Sequence, residues 1–135
     1  MRQINYILIT DSAFENNTHK YRHQHAVKRR YHFIVNRDSL VSNPFDIRKS
    51  GTFLDNYDSC SIGIFVDGSI QDSVPDRMEH ERQKLKPTTA LTNLLVRLRF
   101  LFPDAKILGI SEIDGRHILP NVSMNRLRRI LSDLA

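Results

Sequence analysis

The stretch from Ile4 to Ala13 constrains the fold more than any other part of the chain. From Ile4 to Thr10 its residues are apolar at both odd and even positions, with Asn5 as the main exception. Successive side chains of a strand point to opposite faces of a sheet, so this pattern is typical of a strand buried on both faces. The stretch therefore predicts a central strand that ends in a polar turn beginning at Asp11.

Further strands are predicted along the rest of the chain. Apolar, β-branched or aromatic runs mark strands at residues 31–35, 60–66 and 106–110. The first of these continues through the turn Asn36–Ser39 into a short extended piece at Leu40 and Val41, which together predict a hairpin. Residues 43–59 contain Pro44 and Gly51 and are predicted to form a loop that lines a site.

Three helices are predicted between these strands. One spans residues 19–29, with Thr18 as its N-cap. A second begins at Pro87 and ends before Pro103, and the third follows the N-cap Ser123. The apolar face of the second comprises Leu91, Leu94, Leu95, Leu98, Leu101 and Phe102, and that of the third comprises Met124, Leu127, Ile130, Leu131 and Leu134. The charged segment 69–86 is predicted to be an exposed connection.

Length and composition limit the architecture. A chain of 135 residues with 40% hydrophobic content suits one compact domain, which we place at residues 1–135. Strands interspersed with helices predict an α/β fold, a single mixed sheet of about four to five strands covered by helices. Cys60 is the only cysteine, which excludes an internal disulfide. No signal peptide or membrane span is found, so a soluble, cytoplasmic protein is expected from the chain as given.

Five sequence pieces in this order resemble a known family, the N-acetylmuramoyl-L-alanine amidases of the phage-lysozyme and peptidoglycan-recognition type. The resemblance runs from Ile4 to the last helix. It rests on Ile4–Ile9 before Ser12 and Ala13, on Tyr31–Asp38, on Ser61–Ile64, on Phe102–Gly109, and on Pro120 before the capped C-terminal helix. It implies the fold of that family, and as an activity the cleavage of the amide between the muramyl lactyl group and L-alanine of peptidoglycan.

The family's chemistry requires a zinc ion held by two His and one Cys, with a fourth position open for water and substrate. In this chain the resemblance places those three ligands at Thr10, Ile110 and Leu119. A lone hydroxyl is a poor zinc ligand and aliphatic side chains are none. We therefore expect no zinc cofactor and a catalytically degenerate homologue, which resembles the amidases but lacks their activity.

An alternative is an active amidase with a rewired site. Shifting the alignment by one residue offers Asp11, Glu112 and His117 as substitute ligands. Neighbouring residues of a strand face opposite sides, however, so a slipped ligand would point away from the original site.

The resemblance also implies candidate binding residues. Tyr31 matches a tyrosine that hydrogen-bonds the substrate carbonyl, although a buried core tyrosine has the same pattern. His117 matches a Lys near the Cys, Phe53 stands where the family carries a rim His, and Arg30 ends a basic run where the family has Gly. We expect Tyr31, Phe53, His117 and Arg30 to border a vestigial groove for a peptidoglycan fragment or a protein.

Other polar residues have simpler interpretations. His19, His23 and His25 resemble a metal cluster, but a solvated helix face explains them as well. Cys60 lacks a basic neighbour on its strand and is interpreted as an inert thiol. The net charge of +5 favours acidic partners. A regulatory protein that binds a partner through its basic faces is thus a third possibility, although no base-reading motif accompanies Lys28–Arg30 or the set Arg126, Arg128 and Arg129, so nucleic acid is not expected.

Overall fold

The computed structural model describes residues 2–11, 30–67, 87–113 and 123–134. These residues form one mixed sheet of five strands in the order β3-β2-β4-β1-β5. β1 is parallel to β4 and β5, β2 is parallel to β4, and β3 pairs antiparallel with β2 at one edge. The α/β fold with a single mixed sheet is therefore confirmed. The strands are β1 (Tyr6–Asp11), β2 (Phe33–Val35), β3 (Val41–Ser42), β4 (Ser61–Val66) and β5 (Lys106–Gly109).

β1 occupies the position that its sequence predicts. It lies between β4 and β5, and its residues from Ile7 to Asp11 are all buried. Ile7 and Ile9 point into one cluster of buried residues, which we call the larger core, and Leu8 points into a second, the smaller core. The sheet therefore separates two apolar layers, as expected for a strand without a polar face.

The larger core is closed by two helices. α1 (Pro87–Leu101) begins at its proline, and α3 (Met124–Leu134) begins after Ser123, whose Oγ accepts the N–H of Arg126 at 3.3 Å. Between them, α2 (Ile110–Ile113) follows β5 directly. The buried residues of α1 are Ala90, Leu91, Thr92, Leu94, Leu95 and Leu98, and those of α3 are Met124, Leu127 and Leu131. Both predicted apolar stripes thus lie on the same face of the sheet.

Two details of the sequence interpretation are wrong. Leu101 was assigned to the apolar stripe, but its side chain is 59% exposed. Phe102, the next residue, packs against the larger core instead, and this leaves Leu101 facing solvent. The fourth predicted strand included Ile110, yet β5 ends at Gly109 because the carboxylate of Glu112 accepts the Gly109 N–H at 2.9 Å and starts a helical turn. The predicted helix at 19–29 and the connection at 69–86 lie outside the described residues.

The same substitution at two leucines of α1 tests this placement. Leu95 is fully buried and Leu101 is exposed. Leu95→Ala is expected to lower the free energy of unfolding by about 2–5 kcal/mol, because it leaves a cavity in the larger core. Leu101→Ala should change it by less than about 0.5 kcal/mol. Urea unfolding followed by circular dichroism measures both, and equal losses would contradict the assigned helix face.

Candidate functional site

Thr10 and Ile110, two of the three positions that the resemblance assigns to zinc ligands, lie at the ends of neighbouring strands. The pairing of β1 with β5 ends with Ile9 opposite Gly109, so Thr10 is the next residue of β1 and Ile110, the first residue of α2, directly follows β5. Their exposed fractions are only 1% and 0%. This point, at the carboxyl ends of parallel strands, is where ligand sites of α/β sheets commonly lie.

Both side chains are used in packing. The Thr10 hydroxyl donates a hydrogen bond to the backbone carbonyl of Ile64 on β4, at 3.4 Å. Ile110 is a member of the larger core. Leu119 and His117 fall in the range 114–122, which the structure does not describe.

Glu112, proposed as a substitute ligand, is hydrogen-bonded to Arg128 of α3. Its Oε1 accepts hydrogen bonds from the Gly109 N–H and from Arg128, and Arg128 also donates to the carbonyl of Ile107 at 3.0 Å. The hydrogen bond from Arg128 lowers the pKa of Glu112. The carboxylate is therefore ionised and directed at α3 and β5. Asp11 is fully buried and also interacts with another residue.

Aromatic rings line the face of the sheet opposite α1 and α3. The ring of Tyr31 lies 5.8 Å from that of Phe53 and 5.2 Å from that of Phe65, centroid to centroid. Tyr6 meets Tyr57 edge to face at 5.3 Å. Tyr31 and Phe53 are buried, whereas Tyr6, Tyr57 and Phe65 are half-buried. We call these five residues the aromatic face; its three half-buried rings offer partly exposed apolar surface.

Phe53 is seated on glycine backbone. A Cβ atom at Gly63 of β4 would lie 2.7 Å from the ring, and one at Gly51 would lie 2.8 Å from it, so neither position has room for a side chain. The Asp58 carboxylate accepts the N–H groups of Phe53 at 2.9 Å and Leu54 at 2.8 Å. Phe53 therefore forms the base of the aromatic face, held there by the sheet and by its own loop.

Arg30 lies beside these rings. Its backbone forms an isolated bridge with Thr52, with both N–H···O distances at 3.1 Å. Its exposed guanidinium stands 5.6 Å from the centroid of the Phe45 ring. The structure thus brings the Arg30 backbone next to the loop that carries Phe53, while the guanidinium lies over Phe45, outside the aromatic face.

His32 ties the loop 43–59 to the sheet. The ring is fully buried; its Nδ1 accepts the Gly63 N–H at 3.0 Å, and its Nε2 lies 2.7 Å from the carbonyl of Lys49. Nδ1 therefore carries a lone pair and Nε2 donates, so the ring is neutral. The pKa of His32 is lowered, mainly because burial disfavours the charged form of the ring.

Sequence reasoning missed Arg2, which stands next to His32. Its guanidinium donates to three backbone carbonyls, those of Ser61 at 2.8 Å and of Ile47 and Asp58 at 3.2 Å each. These acceptors lie 45 to 59 residues away in sequence. A basic residue just before a buried strand was the only signal, and it does not specify such partners.

Other candidate groups are described only in part. Cys60 is half-buried and its thiol points to the carbonyl of Tyr57 at 3.6 Å. His19, His23, His25 and His80 fall outside the described ranges. Among the residues that the structure describes, no three His, Cys, Asp or Glu side chains are grouped to hold a metal ion. No helix in this part of the chain is long and apolar enough to cross a membrane.

The mixed sheet, its strand order and the helices over its larger core define the fold shared by N-acetylmuramoyl-L-alanine amidases and peptidoglycan recognition proteins. The amidase LysC from Clostridium intestinale URNW matches with a TM-score of 0.69 at 14% identity, over 97% of this chain and 87% of that one. The Ph2119 endolysin from Thermus scotoductus MAT2119 bacteriophage Ph2119 matches at 0.66 and 16%, over 97% and 86%. The PGRP-Hd from Alvinella pompejana matches at 0.52 and 13%, over 99% and 84%.

At these identities the shared feature is the fold, and the fold implied by the sequence resemblance is confirmed. No protein-family model matches the chain, and no curated protein matches its sequence.

The neutral state of His32 predicts a loss of stability in mild acid. In the unfolded chain His32 takes up a proton near its usual pKa of 6.5, while the folded ring does so only at lower pH. The unfolded state therefore binds more protons than the folded state below about pH 6.5. In that window the free energy of unfolding decreases as the pH is lowered. His32→Asn, whose amide oxygen can accept the Gly63 N–H, removes this contribution.

We expect His32→Asn to be less stable than the wild type near neutral pH, with a difference that narrows as the pH falls. Urea unfolding of both proteins at about pH 7.5 and about pH 5.5 measures this. Because the other histidines are the same in both proteins, their titration cancels in the comparison. A difference that stays constant or widens between the two pH values would refute the role assigned to His32.

Proposed function

We propose that this protein is a zinc-less, catalytically inactive relative of the N-acetylmuramoyl-L-alanine amidases that binds a peptidoglycan fragment at its aromatic face. The observation that carries the proposal is the state of the two ligand positions in the described part of the chain. The Thr10 hydroxyl donates a hydrogen bond to a backbone carbonyl, and Ile110 is a core residue. A zinc site needs nitrogen, sulfur or carboxylate ligands at three positions, and these two supply none.

The loss of zinc removes the chemistry and leaves the fold. Amide hydrolysis by a zinc enzyme depends on a metal that polarises the carbonyl and lowers the pKa of a bound water. Without these effects, a substrate held next to Thr10 meets no activated nucleophile.

The alternative, an active amidase that uses Asp11, Glu112 and His117, is less favoured by the geometry. Glu112 would have to leave its hydrogen bonds with Arg128 and Gly109 to bind a metal ion or to act as a base. The ion pair is partly exposed, so its loss costs at most about 1 kcal/mol, but the bond that starts α2 at Gly109 would be lost with it.

The proposed ligand class follows from the aromatic face and from the structural neighbours. Among the solved structures with this fold are proteins named as amidases and a peptidoglycan recognition protein. Tyr6, Tyr57 and Phe65 present half-exposed rings that suit the apolar faces of sugars and of the lactyl and alanyl methyl groups. The exposed Arg30 guanidinium, which lies over the Phe45 ring, suits a carboxylate of the peptide stem.

Two measurements on the same preparation test the absence of catalysis. Zinc content after loading and gel filtration is expected to stay far below one ion per chain, and incubation with purified peptidoglycan should release no muropeptide. The amidase LysC serves as the positive control for cleavage, and an enzyme of known zinc content serves as the control for metal loading. Stoichiometric zinc or amide cleavage by this protein would rule out the proposal.

Binding is tested by calorimetric titration with a soluble muropeptide. Tyr57→Ala should weaken binding by about 0.5–1.5 kcal/mol, since it removes one ring of the aromatic face. Leu40→Ala, which alters an exposed residue in the turn between β2 and β3, is the matched control and should leave the affinity unchanged. No binding by the wild type, or equal losses for the two variants, would count against the aromatic face as the site.

A further inference from the structure

The outward side of α1 exposes apolar side chains to solvent. Phe100 is 85% exposed, Leu101 59% and Val96 40%. Val96 and Phe100 are one helical turn apart and therefore lie on the same side of α1. An exposed aromatic ring in such a group is the kind of surface that marks an interaction site.

Arginines lie on α1 beside these apolar residues and on the exposed side of the neighbouring helix α3. Arg97 and Arg99 flank Phe100 on α1, and Arg126 and Arg129 are exposed on α3. α1 and α3 pack against each other and cover the same side of the sheet, since both contribute to the larger core. None of these four arginines forms an ion pair in the part of the chain that the structure describes. We call the set the outer helical face: Val96, Arg97, Arg99, Phe100, Leu101, Arg126 and Arg129.

We propose that the outer helical face docks on the surface of an anionic lipid bilayer. Helices that lie in a membrane interface combine aromatic and aliphatic residues with arginines or lysines beside them. The ring of Phe100 and the side chain of Leu101 enter the region between headgroups and acyl chains. The arginines keep their aliphatic stems near that region while their guanidinium groups bind lipid phosphates.

The same observations argue against other occupants. A second copy of the chain docked face to face would bring four arginines against four arginines. A nucleic acid would pair with the arginines but gain nothing from Val96 and Leu101, and a single aromatic ring is not a stacking platform. An acidic protein would need a hollow for Phe100, which protrudes from a convex helix, whereas a bilayer interface accepts a protruding ring without one.

The inference is independent of the proposed function. The aromatic face belongs to the opposite side of the sheet, next to the smaller core. Substitutions in the outer helical face are therefore expected to leave muropeptide binding unchanged.

Vesicle cosedimentation of the full chain tests the proposal. The wild type should sediment with vesicles of equal parts phosphatidylglycerol and phosphatidylcholine, remain in solution with vesicles of phosphatidylcholine alone, and be released by salt. Phe100→Ser should lower the partition coefficient about tenfold, because it removes the inserted ring. The double variant Arg97→Glu with Arg99→Glu should lower it by at least about tenfold.

Matched controls lie in the turn between β2 and β3. Leu40 is 66% exposed and Arg37 is also exposed, so Leu40→Ser removes an apolar side chain and Arg37→Glu reverses one charge outside the outer helical face; both should leave partitioning nearly unchanged. Circular dichroism checks that every variant is folded.

Three outcomes would overturn the proposal. The first is failure of the wild type to sediment with the anionic vesicles. The second is equal losses for the Phe100 and Leu40 variants or for the two charge variants. The third is binding to an acidic peptide or to single-stranded DNA, dependent on the same arginines, without vesicle binding; this would assign the face to that class of partner.

Discussion

β1 is paired along both of its edges and buried on both of its faces. Its backbone from Tyr6 to Ile9 is bonded to β4 on one side and to β5 on the other, and its side chains alternate between the two cores. A strand held in this way cannot shift by one residue without exchanging the contents of the two cores. Its register fixes where Thr10 lies, and through β5 it also fixes Ile110. The pairing of β1 with β4 and β5 thus determines both the separation of the two cores and the positions on which the proposed function rests.

The end of β1 is a place where a core and a metal site compete for the same residues. Zinc ligands at such a point would introduce polar groups into a dry environment, and those groups would need the metal ion and further hydrogen bonds to offset their burial. Thr10 and Ile110 meet the demands of the core without a metal, since one satisfies its hydroxyl on the backbone and the other is apolar. Thr10 and Ile110 therefore stabilise the fold at a position where a catalytic metal site would need buried polar ligands.

How far the sequence predicts the structure depends on the range of the interactions. β1, β4 and the buried stripes of α1 and α3 follow from local periodicity, which the packed sheet then satisfies. α2 was not predicted because its start depends on Glu112, whose carboxylate is oriented by Arg128 from α3. The contacts of Arg2 and the seat of Phe53 on Gly63 are also long-range, and no periodic pattern encodes them. The sequence therefore predicted the scaffold, but not the network that shapes the aromatic face.

That network holds the loop beside the sheet through protein groups. The loop 43–59, which carries Phe53 and Tyr57, is fastened by Arg2, by the neutral ring of His32 and by the Asp58 carboxylate. All three fasteners are side chains bonded to backbone groups, and none requires a metal ion. Structural zinc sites, by contrast, contribute directly to folding, and their proteins unfold when the metal is removed. Because the loop that carries Phe53 and Tyr57 is held by these hydrogen bonds, the binding proposed at the aromatic face does not depend on a bound metal ion.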